Sequence, residues 1–134
     1  MPPVHLLLLK SLAVLWTLPN TLLGMLIGSI GLLTGGRVRF RDGCLEFWGG
    51  CVSWLLPRMP VRAVAMTLGH TILGLNVQFL DRAAAHERIH VRQYERWGPL
   101  FLLMYFGWSG WIWWRGGNPY LDNPFEVEAY RDAP

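Results

Sequence analysis

The feature that most constrains this chain is an apolar run at its N-terminus. Residues 4–33 carry a single charge, Lys10, and the 26 residues of 11–36 carry none. As a helix, such a stretch exceeds the roughly 30 Å of a bilayer core. Pro19 interrupts it, because proline removes a backbone donor and crowds the preceding turn. Asn20 or Thr21 then stands where a second helix would take its cap. Each half is too short to cross alone. Three arrangements fit: one kinked transmembrane helix, a re-entrant hairpin, or a helix pair buried in the protein's own core. A cleaved signal peptide fits less well, since the run is too long and no A-x-A-like site follows.

Composition agrees with a membrane partner. Of 134 residues, 52% are hydrophobic and only 16% charged, and eight are tryptophan. Soluble domains carry about 25% charged residues. The net charge of +3 is too small and too dispersed for nucleic acid, though it suits an anionic lipid surface. Arg37, Arg39 and Arg41 follow the apolar run, against Lys10 before it, which places the downstream part on the cytoplasmic side. The expected organisation is an apolar helical segment over residues 1–36 and one small domain over residues 37–134, a length with room for a single core. Cys44 and Cys51 do not form a C-x-x-C pair, so neither a zinc knuckle nor a redox motif is indicated. They read as small apolar residues, or as a disulfide if they face an oxidising compartment.

The domain reads as α+β. Arg37-Val38-Arg39-Phe40-Arg41 alternates polar and apolar residues, as a half-solvated strand does. Asp42-Gly43 is a hairpin turn, and Cys44 to Trp48 returns. Pro57 and Pro60 break the next segment. Residues 63–68 and 71–75 read as short strands with Gly69 and Gly74 as bends or bulges, completing a small β-meander. Residues 81–97 read as a helix capped by Asp81 and stopped by Gly98-Pro99. Residues 99–114 form an apolar, Trp-rich helix, either an interfacial anchor or a core helix. Asn123 caps a last helix with Pro124 at its first position.

Within residues 81–97 stands His86-Glu87-Arg88-Ile89-His90, an H-E-x-x-H pattern. Residues four apart share a helix face, so two imidazoles can meet one metal ion, with Glu87 beside them as general base toward water. Zinc suits this donor set. A chain of this composition carries such a pattern by chance about once in 120, so the signal needs the company of a third ligand. Two helical histidines and a solvated glutamate are the ordinary alternative. His70 reads as a strand or turn residue bonded to backbone, or as a group near the metal. Gln93, three residues beyond His90, either buttresses the site or faces solvent.

The third ligand is sought in Glu126-Val127-Glu128-Ala129-Tyr130. The arrangement resembles the gluzincin zinc metallopeptidases, in which a helix after H-E-x-x-H contributes a glutamate. The segment looks like the E-x-x-A-D pattern of membrane-embedded CAAX-protease and HtpX-type peptidases. Tyr130 stands where that pattern has aspartate. The resemblance covers residues 67–134 and extends to small uncharacterised bacterial membrane proteins. It implies zinc on His86, His90 and Glu126, Glu87 as general base, and a peptide or protein substrate laid along the strand of residues 67–75. A thermolysin-type spacing would instead select Glu128 with Asp132.

Two other readings stand beside it. Asp42-Gly43-Cys44-Leu45 faintly resembles the E-G-C-L motif of peptide deformylases, which would make Cys44 the third ligand of an amide hydrolase, although that family's glycine-rich G-x-G-x-A-A-x-Q motif is absent. A non-catalytic membrane protein with a structural or vestigial zinc site fits the same residues.

Overall fold

A computed structural model of the protein describes residues 1–59 and 63–134. Pro60, the second expected break, lies outside the described residues. The fold is α+β, with five α-helices and a mixed four-stranded sheet among the described residues.

Helix α1 (Val4–Leu33) is continuous through Pro19. This corrects the re-entrant hairpin and the helix pair. Asn20 does not cap a second helix. Its side-chain amide donates to the Gly98 carbonyl at 3.1 Å, and the Thr21 hydroxyl donates to the Thr17 carbonyl within α1. α1 is long and apolar enough to cross a membrane by length and composition. Its buried stripe is Thr17, Asn20, Gly24, Gly28 and Gly31, while Leu22, Leu23, Leu26, Ile30 and Leu33 are exposed. Small and polar residues face the protein and large apolar ones face outward, the reverse of a helix on a soluble core. The glycines permit the approach. A Cβ on Gly28 would lie 2.4 Å from the Phe47 ring, and one on Gly24 would lie 2.7 Å from Thr71 Cβ.

Strands β1 (Arg37–Arg41) and β2 (Cys44–Trp48) form the expected hairpin, with Asp42 and Gly43 both at positive φ. After β2 come α2 (Gly50–Leu55) and a 3-10 turn (Leu56–Arg58), then β3 (Ala65–Leu68) and β4 (Thr71–Gly74). The order is β1-β2-β4-β3, with β4 parallel to β2, so the sheet is not the expected meander. α2 and the turn after it carry the chain out to the edge, and the β3–β4 hairpin then folds β4 back against β2. β3 is therefore an edge strand.

Period-two alternation splits the sheet into two packed faces. Phe47, Leu68 and Leu73 form one core with Val52 and Leu56, against Ile27 of α1 and Leu102 of α4 (Leu100–Trp114). Cys44 and Ile72 form the other with Leu80 and Val91 of α3 (Val77–Trp97). The protein is thus layered α1, sheet, α3. Glu46 is buried on the α3 side, where it accepts from Arg39 Nε at 2.8 Å and Arg41 Nε at 3.0 Å. Both arginines also reach Asp81, which fastens the hairpin to α3.

That pairing explains a second correction. α3 starts at Val77, capped by Asn76, whose Oδ1 accepts from the Phe79 N–H at 2.9 Å. Asp81 lies a turn inside as an ion-pair partner, so the helix is longer than the expected 81–97. Its C-terminal end at Gly98 is as expected, with Gly98 at positive φ and the Trp16 ring lying against it. Helix α4 (Leu100–Trp114) leaves Leu103, Trp108, Trp111, Trp113 and Trp114 exposed. Asn123 caps α5 (Pro124–Asp132) as expected, accepting from the Phe125 N–H.

Candidate metal centre

α3 and α5 pack together so that His86, His90 and Glu126 meet. One turn of helix brings His90 Nε2 to 3.2 Å from His86 Nε2. Glu126, in the first turn of α5, spans both rings. Its Oε2 lies 2.9 Å from His86 Nε2 and its Oε1 3.2 Å from His90 Nε2. Tyr105 of α4 donates its hydroxyl to Glu126 Oε1 at 2.7 Å. His90, Glu126 and Glu87 are all buried.

Burial alone would lower the pKa of His90. The Glu126 hydrogen bond, with the charges of Glu87 and Glu126, overrules it and pushes the value up to about 9. Burial likewise opposes charge on Glu126, yet the bonds from His86 and His90 hold its carboxyl down to about 2. Burial and the neighbouring Glu126 carboxylate push Tyr105 upward, so its phenol stays protonated and remains a donor.

Glu87 lies beside this cluster but has its own partner. Thr67 of β3 donates its hydroxyl to Glu87 Oε2 at 2.7 Å. Two carboxylates therefore lie near the histidines. His86, Glu87 and His90 offer ligand atoms within 4.8 Å of one another. Glu126 is closer to both rings, and Glu87 is tethered to the sheet, so we take Glu126 as the candidate ligand. Two imidazole nitrogens and a carboxylate, with one Glu126 oxygen against each ring, are donors of the kind that zinc accepts.

The other residues singled out in the sequence lie elsewhere. Glu128 accepts from Gln93 Nε2 and lies 3.6 Å from Arg96, while Asp132 pairs with Arg131. Cys44 is in the core cluster with Ile72, Leu80 and Val91, where burial pushes its thiol up. Cys44 and Cys51 are both free thiols. His70 joins the β3–β4 turn to α1 and α3. Its N–H donates to Thr21 Oγ1, Nδ1 lies 2.9 Å from Thr17 Oγ1, and Nε2 lies 3.3 Å from Glu95. Gln93 is buried and faces His90 rather than solvent. Tyr130 lies against the His86 ring, with centroids 4.4 Å apart.

Sequence reasoning missed Thr67 and Tyr105, which other elements deliver to the site. A mostly apolar pocket opens beside Glu87, His90 and Glu126, lined by Ala65, Met66, Phe101, Leu102 and Phe106. β3 borders it. In an antiparallel pair, hydrogen-bonded and open positions alternate. The bond from Leu75 N–H to the Val64 carbonyl sets that alternation, so the backbone groups of Ala65 and Thr67 point away from β4. Of the strand expected to meet substrate, only its start in β3 is an edge, because β4 is interior.

No protein-family model matches this chain, and neither does any curated protein or any solved structure.

Proposed function

We propose that the protein is a membrane-associated zinc peptidase. The observation that carries this is the buried Glu126 carboxylate lying against the Nε2 atoms of both His86 and His90, with Glu87 held separately by Thr67. His86, His90 and Glu126 would hold the metal. Bound zinc lowers the pKa of a coordinated water to about 7 and polarises a carbonyl oxygen. Glu87 receives the proton of the attacking water and returns it to the leaving amine. Thr67 holds one oxygen of Glu87, leaving the other for proton transfer. An extended peptide adds along the outer side of β3, with an apolar side chain in the pocket of Met66, Leu102 and Phe106. The outward leucines of α1 favour lipid around that helix, and Arg37, Arg39 and Arg41 favour a cytoplasmic domain.

The test is zinc content and cleavage of an unstructured apolar peptide by the purified protein. We expect stoichiometric zinc in the parent and in Glu87→Gln, loss of zinc in Glu126→Ala, and loss of cleavage in both variants. A parent without zinc, or a Glu87→Gln protein that cleaves as the parent does, would overturn the proposal.

A further inference from the structure

We propose that Gln93 is a positioning residue: one side-chain amide sets the proton on His90 and holds the helix of Glu126 in register with it. The inference rests on the zinc reading above.

Gln93 is fully buried, one turn beyond His90 on the same face of α3. Its amide has three contacts. Nε2 donates to the Phe125 carbonyl at 3.0 Å and to Glu128 Oε1 at 3.1 Å, while Oε1 lies 2.8 Å from His90 Nδ1. A backbone carbonyl and a carboxylate only accept, so both must face the NH2 group. The amide oxygen is left toward His90, and it too only accepts. His90 Nδ1 must therefore carry a hydrogen. In the neutral ring the lone pair then falls on Nε2, the atom that faces Glu126 and His86.

The same amide fixes the other side of the site. Phe125 immediately precedes Glu126, and Glu128 lies on the same helix. A helix-to-helix cross-link alone would be complete with those two acceptors. The third contact, on the remote nitrogen of a candidate ligand, is what a cross-link does not need and a metal site does. His86 meets a different neighbour, the tilted ring of Tyr130 at 4.4 Å between centroids. The orienting hydrogen bond thus falls on His90.

The experiment measures zinc affinity by competition with a chromophoric chelator, on the full chain stripped of metal, with circular dichroism as the control for folding. Gln93→Leu removes all three contacts. We expect its zinc affinity to fall about 10- to 100-fold. The double variant Gln93→Glu with Glu128→Gln keeps an acceptor on His90 Nδ1 and rebuilds the link to residue 128 with donor and acceptor exchanged, while the Phe125 carbonyl loses its donor, so its folding is checked in the same way. It is expected to bind zinc within about threefold of the parent, a departure well inside the loss that removing the orienting group causes. Glu128→Ala is expected to stay near the parent, since the Phe125 carbonyl still orients the amide.

A folded Gln93→Leu protein with parental zinc affinity overturns the inference and leaves the zinc reading intact. So does a folded double variant as weak as Gln93→Leu. If Gln93→Leu does not fold, the double variant decides alone: near-parental affinity supports the inference, and a tenfold loss overturns it. A parent that binds no zinc overturns the zinc reading itself.

Discussion

Glu126→Ala and Glu128→Ala should differ sharply, although the two residues are neighbours on one short helix. In the metal-free protein Glu126 is buried and accepts from His86, His90 and Tyr105. Its removal strands a buried phenol and a buried protonated imidazole. Breaking a buried charge pair from one side costs about 3–5 kcal/mol. His90 can escape part of that by releasing its proton, so we take about 3 kcal/mol. Glu128→Ala removes one of two acceptors on Gln93 Nε2 and a 3.6 Å contact with an exposed Arg96. That costs about 1 kcal/mol or less. With an unfolding entropy near 2 cal/mol/K per residue, a 134-residue chain loses about 11 °C in Tm for 3 kcal/mol and about 4 °C for 1 kcal/mol. Zinc widens the contrast. At a hundredfold excess over Kd it adds about 2.7 kcal/mol, about 10 °C, to a chain that can bind it. The assay is thermal unfolding of detergent-solubilised protein with chelator and with zinc. The parent and Glu128→Ala should show the zinc shift, and Glu126→Ala should not. Equal destabilisation by the two variants, or a zinc shift that survives Glu126→Ala and disappears in Glu128→Ala, would refute the assignment of roles on α5.

Further outcomes follow from the same contacts. The folded-state pKa of His90 is raised from 6.5 to about 9, so its contribution is complete below pH 6.5 and lost as pH rises through 9. That of Glu126 is depressed from 4.5 to about 2, so its contribution is complete above pH 4.5 and lost as pH falls through 2. The gap in Tm between metal-free parent and Glu126→Ala is therefore widest between pH 4.5 and 6.5. A gap that grew from pH 6.5 to 9 would reverse the sign of the coupling. Gly28→Leu drives a side chain into the Phe47 ring, a site with no slack, and should cost about 1–3 kcal/mol. Ser29→Leu, on the exposed side of α1, should leave Tm unchanged, and equal effects would mean that α1 does not dock through its glycines. Thr67→Val removes the hydroxyl on Glu87 and should leave zinc binding intact while lowering kcat/KM about tenfold, part of what a placed general base contributes. An unchanged kcat/KM would deny Thr67 its role.

The elements were legible in the sequence where the information is local. Asp42-Gly43, Asn123-Pro124 and Gly98-Pro99 each specify backbone geometry within a few residues, and each stands where it was read. The order of the strands was not legible. Nothing local in Thr71–Gly74 distinguishes pairing with β3 alone from insertion beside β2. The insertion is settled by burying Ile72 against α3 and Leu73 against the Phe47 core. The start of α3 was misplaced for a related reason. Asp81 and Asn76 are both competent caps. Asp81 was claimed instead by Arg39 and Arg41, residues 42 and 40 positions away in the chain. Pro19 promised a break in α1, yet the helix continues, held on both sides of the proline by docking. Thr17 meets His70 before it, and Asn20 meets Gly98 after it.

The candidate site divides along the same line. His86, Glu87 and His90 share one helix, so their spacing carries their geometry. Thr67 and Tyr105 arrive from β3 and α4, and only the packing of those elements on α3 and α5 brings their hydroxyls to Glu87 and Glu126. The choice between Glu126 and Glu128 lies between these cases. Residues two apart on a helix point about 200° apart, so at most one of the two can face the imidazoles. The sequence carries that exclusion but not its sense, which depends on how α5 is rotated about its own axis. Three contacts set the rotation. Asn123 Nδ2 donates to the Tyr105 carbonyl and to Ser109 Oγ, fixing the start of α5 against α4. Gln93 holds the Phe125 carbonyl from α3. With the Phe125 carbonyl drawn to Gln93, Glu126 is turned toward His86 and His90. The carbonyl that precedes Glu126, rather than either glutamate side chain, thus places the ligand.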